Sequence, residues 1–101
     1  MWLIVIFDLP VITPSQRKQA NGFRLDLLDL GFSKWQLSVY AKLCSSKPYL
    51  NTLISKIKQC LPPQGDVELI MITDSQYERI ITFQKRINVG KKKNPQQLEL
   101  F

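Results

Sequence analysis

Histidine is absent from the 101 residues, and several chemistries go with it. No Ser–His or Cys–His pair can activate a nucleophile, no imidazole can hold zinc, and RNA cleavage by histidine acid–base catalysis is excluded. Cysteine occurs twice, as Cys44 and Cys60, too few for a four-ligand zinc site. In a cytosolic chain such cysteines are expected to be reduced and buried rather than bridged. The four glycines, Gly22, Gly31, Gly65 and Gly90, fall in neither G-x-G-x-x-G nor Walker spacing, so the usual nucleotide-phosphate cradles are missing. Long apolar runs are missing too. The longest, Trp2 to Phe7, stops at Asp8, well short of the roughly 18 residues of a membrane span. The start of the chain has no basic leader and no small-residue cleavage site, so no membrane association is expected and the cytoplasm is the expected location.

What is present is positive charge. Fourteen Lys and Arg face eight Asp and Glu, a formal charge of +6. The excess is uneven. Residues 31–60 hold Lys34, Lys42, Lys47, Lys56 and Lys58 and no acid at all, and Lys85, Arg86, Lys91, Lys92 and Lys93 crowd the C-terminal part. Each cluster alone reads as a solvated face. Together they suit an extended polyanion, because each neutralised phosphate releases counterions.

The length allows one domain with a modest core that dimerisation would help to stabilise. Trp2–Phe7, apolar on both sides, reads as a strand in the middle of a sheet, ended by Leu9-Pro10. Thr13-Pro14-Ser15-Gln16 is a helix start with a capping box. Ala20, Phe23, Leu27 and Leu30 form its apolar stripe, and Gly31 is the stop. From Ser33 to Leu43 the pattern alternates: Trp35, Leu37, Val39, Ala41 and Leu43 are expected inward, with Lys34, Gln36, Ser38, Tyr40 and Lys42 on a wet face. That stretch is long for one strand, so a turn or bulge near Leu37 is expected to split it.

Ser46 and Pro48 open a second helix with Leu50, Leu53, Ile54, Ile57 and Leu61 on one stripe, closed by the turn Pro62-Pro63-Gln64-Gly65. Val67–Ile72 is a further strand, and Thr73–Gln76 caps a short helical turn. Ile80–Phe83 and Leu98–Phe101 are candidate strands, separated by a linker over Gly90–Pro95. The order β-α-β-β-α-β predicts an α+β, ferredoxin-like antiparallel sheet with a small C-terminal β extension. Residues 1–84 form the domain, and 85–101 a basic linker and a strand that docks on a dimer.

Asp8, where an apolar strand emerges, has two readings. It either caps the bend at Leu9-Pro10, or it is a ligand for a hard cation such as Mg²⁺, which commonly takes only one or two carboxylates. A two-fold dimer would bring two copies together. Arg17 and Arg24, seven residues apart on the first helix, sit at the border between core and solvent. There they either reach towards phosphate or pair with Asp26, Asp29 or another carboxylate. Ser38 and Tyr40 on the wet strand face are candidate neutral phosphate contacts, or simply polar sheet surface. Phe7, Trp35 and Tyr49 are expected in the core.

The ordered set Trp2-Leu-Ile-Val-Ile-Phe-Asp-Leu-Pro10, Arg17, Phe23-Arg24, Gly31-Phe32, Gln36-x-Ser38-Val39-Tyr40, Lys42-Leu43, Leu61-Pro62-Pro63-x-Gly65, Ile72-Thr73-Asp74 and Gln76-Tyr77 resembles the CRISPR-associated protein 2 family, most like its type II branch. The resemblance covers nearly the whole chain to about residue 90. It implies a ferredoxin-like homodimer with late strands exchanged or docked across the two-fold. It also implies a role in spacer acquisition, in which the dimer bridges two dimers of the CRISPR-associated integrase and supports duplex DNA. Members are classed as metal-dependent endonucleases. The resemblance therefore makes Asp8 the catalytic Mg²⁺ ligand, shared between subunits, and Arg17 and Arg24 candidate DNA contacts; Lys18 and Ser38 are further candidate nucleic-acid contacts. The cleavage activity is often dispensable in such scaffolds. The short, very basic segment after Arg86 departs from the family pattern and leaves its docking open. Competing classes are a non-catalytic nucleic-acid-binding module, a toxin-type ribonuclease of the same fold and a small-ligand sensor. The first lacks an aromatic-rich sheet motif and the last a recognisable pocket motif.

Overall fold

The structure, a computed structural model, describes residues 1–84. The strand expected over Leu98–Phe101, the linker over Gly90–Pro95 and the basic cluster from Lys85 to Lys93 lie outside the described residues. The element order is β1 (Trp2–Asp8), α1 (Pro14–Asp29), β2 (Ser33–Gln36), β3 (Val39–Leu43), α2 (Lys47–Gln59), β4 (Asp66–Ile72) and α3 (Asp74–Glu78). The sheet order is β2-β3-β1-β4 with every pairing antiparallel, which is the ferredoxin-like arrangement.

The helices begin and end where the chain provides for it. Thr13 accepts the backbone N–H of Gln16 while the Gln16 side chain accepts the N–H of Thr13, a reciprocal capping box, and Pro14 fills the first helical position. At the other end Gly31 takes φ +95°, and the N–H groups of Gly31 and Phe32 donate to the carbonyls of Leu28 and Leu27. This Schellman closure suits a residue without Cβ. Ser46 caps α2 by accepting the backbone N–H of Tyr49, with Lys56 and Lys58 near the C-terminal carbonyls, where positive charge is favoured.

β1 pairs on both edges, with β3 from Trp2 to Ile6 and with β4 from Trp2 to Asp8. Its alternate residues Leu3, Val5 and Phe7 meet Phe23 and Leu27 of α1 and Leu50, Leu53 and Ile57 of α2 in one buried cluster. Phe7 meets Phe23 edge-on, with ring centroids 5.3 Å apart.

The expectations are corrected in two regions, residues 37–49 and residues 80–83. The split of Ser33–Leu43 at Leu37 is observed, with a register shift between Lys34 and Gln36, but Tyr40 is not on a wet face. It is 2% exposed, lies in the core cluster, and its ring stands 5.7 Å from that of Phe7. The helices cover the face that carries Tyr40 and Lys42, so the apolar alternates Val39 and Ala41 face the other way, with Ile4, Ile6 and Ile70. The apolar side of the pattern is real, but it belongs to a second face of the sheet. Phe32, Cys44 and Lys42 are accommodated on the helix side, where the Lys42 ammonium lies 5.7 Å from the centre of the Tyr49 ring. Leu37, expected inward, is 74% exposed at the β2–β3 turn. Tyr49, expected in the core, is exposed as well.

The second correction concerns Ile80–Phe83, which forms no strand. The N–H of Ile80 is held by the carbonyl of Tyr77, so the backbone is still closing α3 where the extension was expected to start. α3 instead folds across the second face. Tyr77 stacks on Trp2 at 3.8 Å with an interplanar angle of 9°, and Trp35 stands 5.9 Å from the same ring. No helix among the described residues is long and apolar enough to cross a membrane.

Phe23→Ala should destabilise the domain by about 3–5 kcal/mol, a large part of what a domain of this size has, read as a drop in urea midpoint at constant slope. A change below about 1 kcal/mol would mean that Phe23 does not anchor α1 to the sheet. Both cysteines are free thiols. Burial pushes Cys44 above its ordinary pKa of 9.0, and burial followed by the Asp26 carboxylate does the same for Cys60. The neutral thiol is therefore the favoured native form. This contribution to stability is complete below the unfolded value and is lost as pH rises through the folded one. Alkylation by iodoacetamide at pH 8 should be slower in the native chain than in the chain unfolded in urea, and equal rates would refute the burial of both thiols.

Candidate functional site

β1 pairs with β3 as far as Ile6 and with β4 as far as Asp8, so its last residue is placed by the β1–β4 ladder. Asp8 leaves the sheet exposed, directly opposite Asp66 at the first position of β4. Side chains alternate along a strand, so Asp8 projects from the face away from the helices, as do Asp66 and, beside Ile6, Glu68. Ile6, Phe7, Asp8, Asp66, Val67 and Glu68 line an open cleft of about 410 Å³.

Gly65 shapes this corner. It has φ +95°, and a Cβ on it would stand 2.7 Å from the Asp8 carbonyl oxygen and 2.8 Å from Leu9 Cδ2. Only a residue without a side chain lets the turn from Pro62 to Gly65 pass so closely under the end of β1. The same turn is tied to α1, since Gln16 Nε2 donates to Gln64 Oε1 at 3.1 Å.

The other sequence candidates gather partly at this end. Arg17, in the first turns of α1, is exposed but engaged. Its Nη1 donates to the carbonyls of Val11 at 3.1 Å and Ile12 at 2.9 Å, which pins the connection from β1 to α1. This is neither of the two readings open from the sequence, and it leaves the other guanidinium N–H groups for a phosphate. Lys18 is exposed on the same helix. Ser38 sits half-buried in the β2–β3 turn, and its carbonyl accepts the N–H of Phe7 at 3.1 Å, next to Asp8. Arg24 lies two turns further along α1, half-buried, with Nη2 donating to Asn21 Oδ1 at 3.1 Å. It pairs with neither Asp26 nor Asp29. Among the described residues the one ion pair is that of the Met1 ammonium with Asp74, so Asp8 and Asp66 face each other without a cationic side chain between them.

Asp66, Glu68 and Gly65 were not singled out as site residues from the sequence. Their proximity to Asp8 comes from pairing across 58 positions of chain, which no local pattern reports. The one local signal was the acid directly after a turn glycine at the mouth of an apolar strand, the mirror of Asp8 at the exit of β1.

The donors at this corner are oxygen only, the hard set that suits Mg²⁺ rather than zinc. Among the described residues no three His, Cys, Asp or Glu side chains come together as a closed metal cage.

Fold and corner together define a ferredoxin-like protein with carboxylates at the end of the central strand and basic side chains on the adjoining helix. The model of the family described as CRISPR associated protein Cas2 matches residues 1–80. A "CRISPR-associated endoribonuclease Cas2" of Paracidovorax avenae is 48% identical over 101 residues, covering all of this chain and 94% of that one. Another of the same name, from Parvibaculum lavamentivorans, is 41% identical over the full length of both chains. Among solved structures, that of Streptococcus pyogenes Cas2 at pH 6.5 superposes with a TM-score of 0.65 at 16% identity over 83% of this chain and all of that one, a likeness of fold. The chain belongs to the Cas2 family of CRISPR-associated proteins.

Two outcomes follow from the corner itself. Arg17→Ala should accelerate amide exchange at residues 11–13 while leaving β1 protected, with Arg17→Lys restoring only part, because a point donor cannot replace the guanidinium fork. Unchanged exchange in the Ala variant would mean that the loop needs no Arg17. Without divalent cations, Asp66→Asn should stabilise the protein by roughly 0.2–1 kcal/mol, since it removes a like-charge cross-strand pair. A lower melting temperature would show that Asp66 has a compensating partner.

Proposed function

We propose that the chain works as a two-fold homodimer in spacer acquisition, bridging integrase dimers and supporting a prespacer duplex, with a Mg²⁺-dependent phosphodiesterase site at Asp8. The observation that carries this reading is the exposed Asp8 on the last rung of the β1–β4 ladder, at the end of the central strand, in a chain of the Cas2 family. The second face of the sheet supports dimerisation. Ile70 and Leu43 remain 42% and 52% exposed on it, and beyond α3 Ile81 and Phe83 are almost bare. A second copy would cover such a surface.

Asp8, and Asp66 opposite it, are the residues that would hold the cation, with the partner's matching carboxylate completing the site. When bound, the ion supplies charge neutralisation at the scissile phosphate and a more acidic water. The chain's own part is to place the carboxylates at a rigid strand end and to set the backbone of the nucleic acid. The free N–H groups of Arg17, with Lys18, Arg24 and Ser38, are the candidate phosphate contacts.

A second reading has its own observation: the relatives are named endoribonucleases, which favours RNA as the strand that is cut.

Asp8→Asn should abolish Mg²⁺-dependent cleavage while sedimentation still reports a dimer and co-purification with the integrase persists. Cleavage at the wild-type rate would remove Asp8 from the chemistry, and a monomer in the wild type would remove the shared site. Arg17→Ala with Lys18→Ala should weaken duplex binding and lower the salt slope by about two, one per lost phosphate contact. Matched DNA duplex and single-stranded RNA substrates, assayed side by side, decide between the two readings.

A further inference from the structure

We infer that Gly65 is a positioning residue for Asp8, acting through the backbone of Asp8–Leu9, and this rests on the reading of Asp8 as a cation ligand. The carboxylate stands on the last rung of the β1–β4 ladder, after which β1 has no partner on either side. Beyond that rung the chain runs into Leu9-Pro10, where proline offers no N–H to continue pairing. The direction in which Asp8 leaves the sheet is therefore set by what lies against its carbonyl group. That is Gly65. The site of its missing Cβ is 2.7 Å from the Asp8 oxygen, 2.8 Å from Leu9 Cδ2 and 3.0 Å from Leu9 Cα, so two of the three nearest atoms are backbone and cannot rotate away. Gly65 itself is held from both sides. Gln64 is bonded to Gln16 of the α1 capping box, and Asp66 is in register with Asp8. A methyl group at position 65 must displace the Asp8–Leu9 backbone or break the rung.

The test measures Mn²⁺ affinity by electron paramagnetic resonance, with amide shifts of the same samples by NMR. Asp8→Asn sets the baseline. Gly65→Ala should keep the shifts of α1, α2 and the β1–β3 ladder, move those of Asp8, Leu9 and Asp66, and lower Mn²⁺ affinity by about tenfold. Gly65→Asn, whose side chain better tolerates positive φ but still carries a Cβ, should do the same. A folded Gly65→Ala protein that binds Mn²⁺ like the wild type would overturn the inference. So would the failure of both variants to fold, since the contact would then serve the fold as a whole. If Asp8→Asn binds Mn²⁺ as the wild type does, the reading of Asp8 as a ligand fails. The displacement of Asp8 and Leu9 by Gly65→Ala is still read from the amide shifts.

Discussion

Strand β1 is hydrogen-bonded along both edges and packed on both faces, and the rest of the molecule is arranged around that one element. Leu3, Val5 and Phe7 are the surface on which both helices sit, while Ile4 is buried on the other side. A strand held in this way cannot slip, because a shift of one residue would turn every buried side chain to the wrong face. Its end is held to β4 through Asp8. A carboxylate placed there is exposed to solvent yet has a fixed origin, a combination suited to a metal ligand that must also admit substrate and water.

Around that end the loops are fastened to one another rather than to the core. Arg17 holds the carbonyls of Val11 and Ile12, Gln16 caps α1 and reaches Gln64, and Gly65 lies against Asp8. Most of these contacts are solvent-exposed, so each contributes modestly on its own, on the order of 1 kcal/mol. Their shared effect is to tie the exit of β1, the start of α1 and the entry to β4 into one corner.

The sheet has two apolar faces, and they are treated differently. One is closed by α1 and α2. The other is covered in part by Tyr77, stacked on Trp2, and leaves Leu43 and Ile70 open. The alternation from Ser33 to Leu43 was legible in the sequence, as was its division at Leu37. Which set of alternates met the helices was not. Tyr40 looked polar enough for the wet side, yet its ring fills space beside Phe7, whereas Val39 and Ala41 belong to the opposite face. Hydrophobic periodicity reports that two sides differ, and only the packed helices say which side is which.

Local chemistry was therefore enough for the elements. The capping boxes at Thr13 and Thr73, the Gly31 stop and the two apolar helical stripes specify their own structure within a few residues, since each depends on hydrogen bonds or spacing that close locally. Asp8 was readable as a candidate site residue for the same reason, as an acid at the mouth of an apolar strand. The placement of Asp66 and Gly65 against it, the use of Arg17 on loop carbonyls and the burial of Tyr40 were decided by tertiary structure alone. Those depend on which strands become neighbours and in what register. That choice is made by the core as a whole, between residues too far apart in the chain for any local pattern to link them.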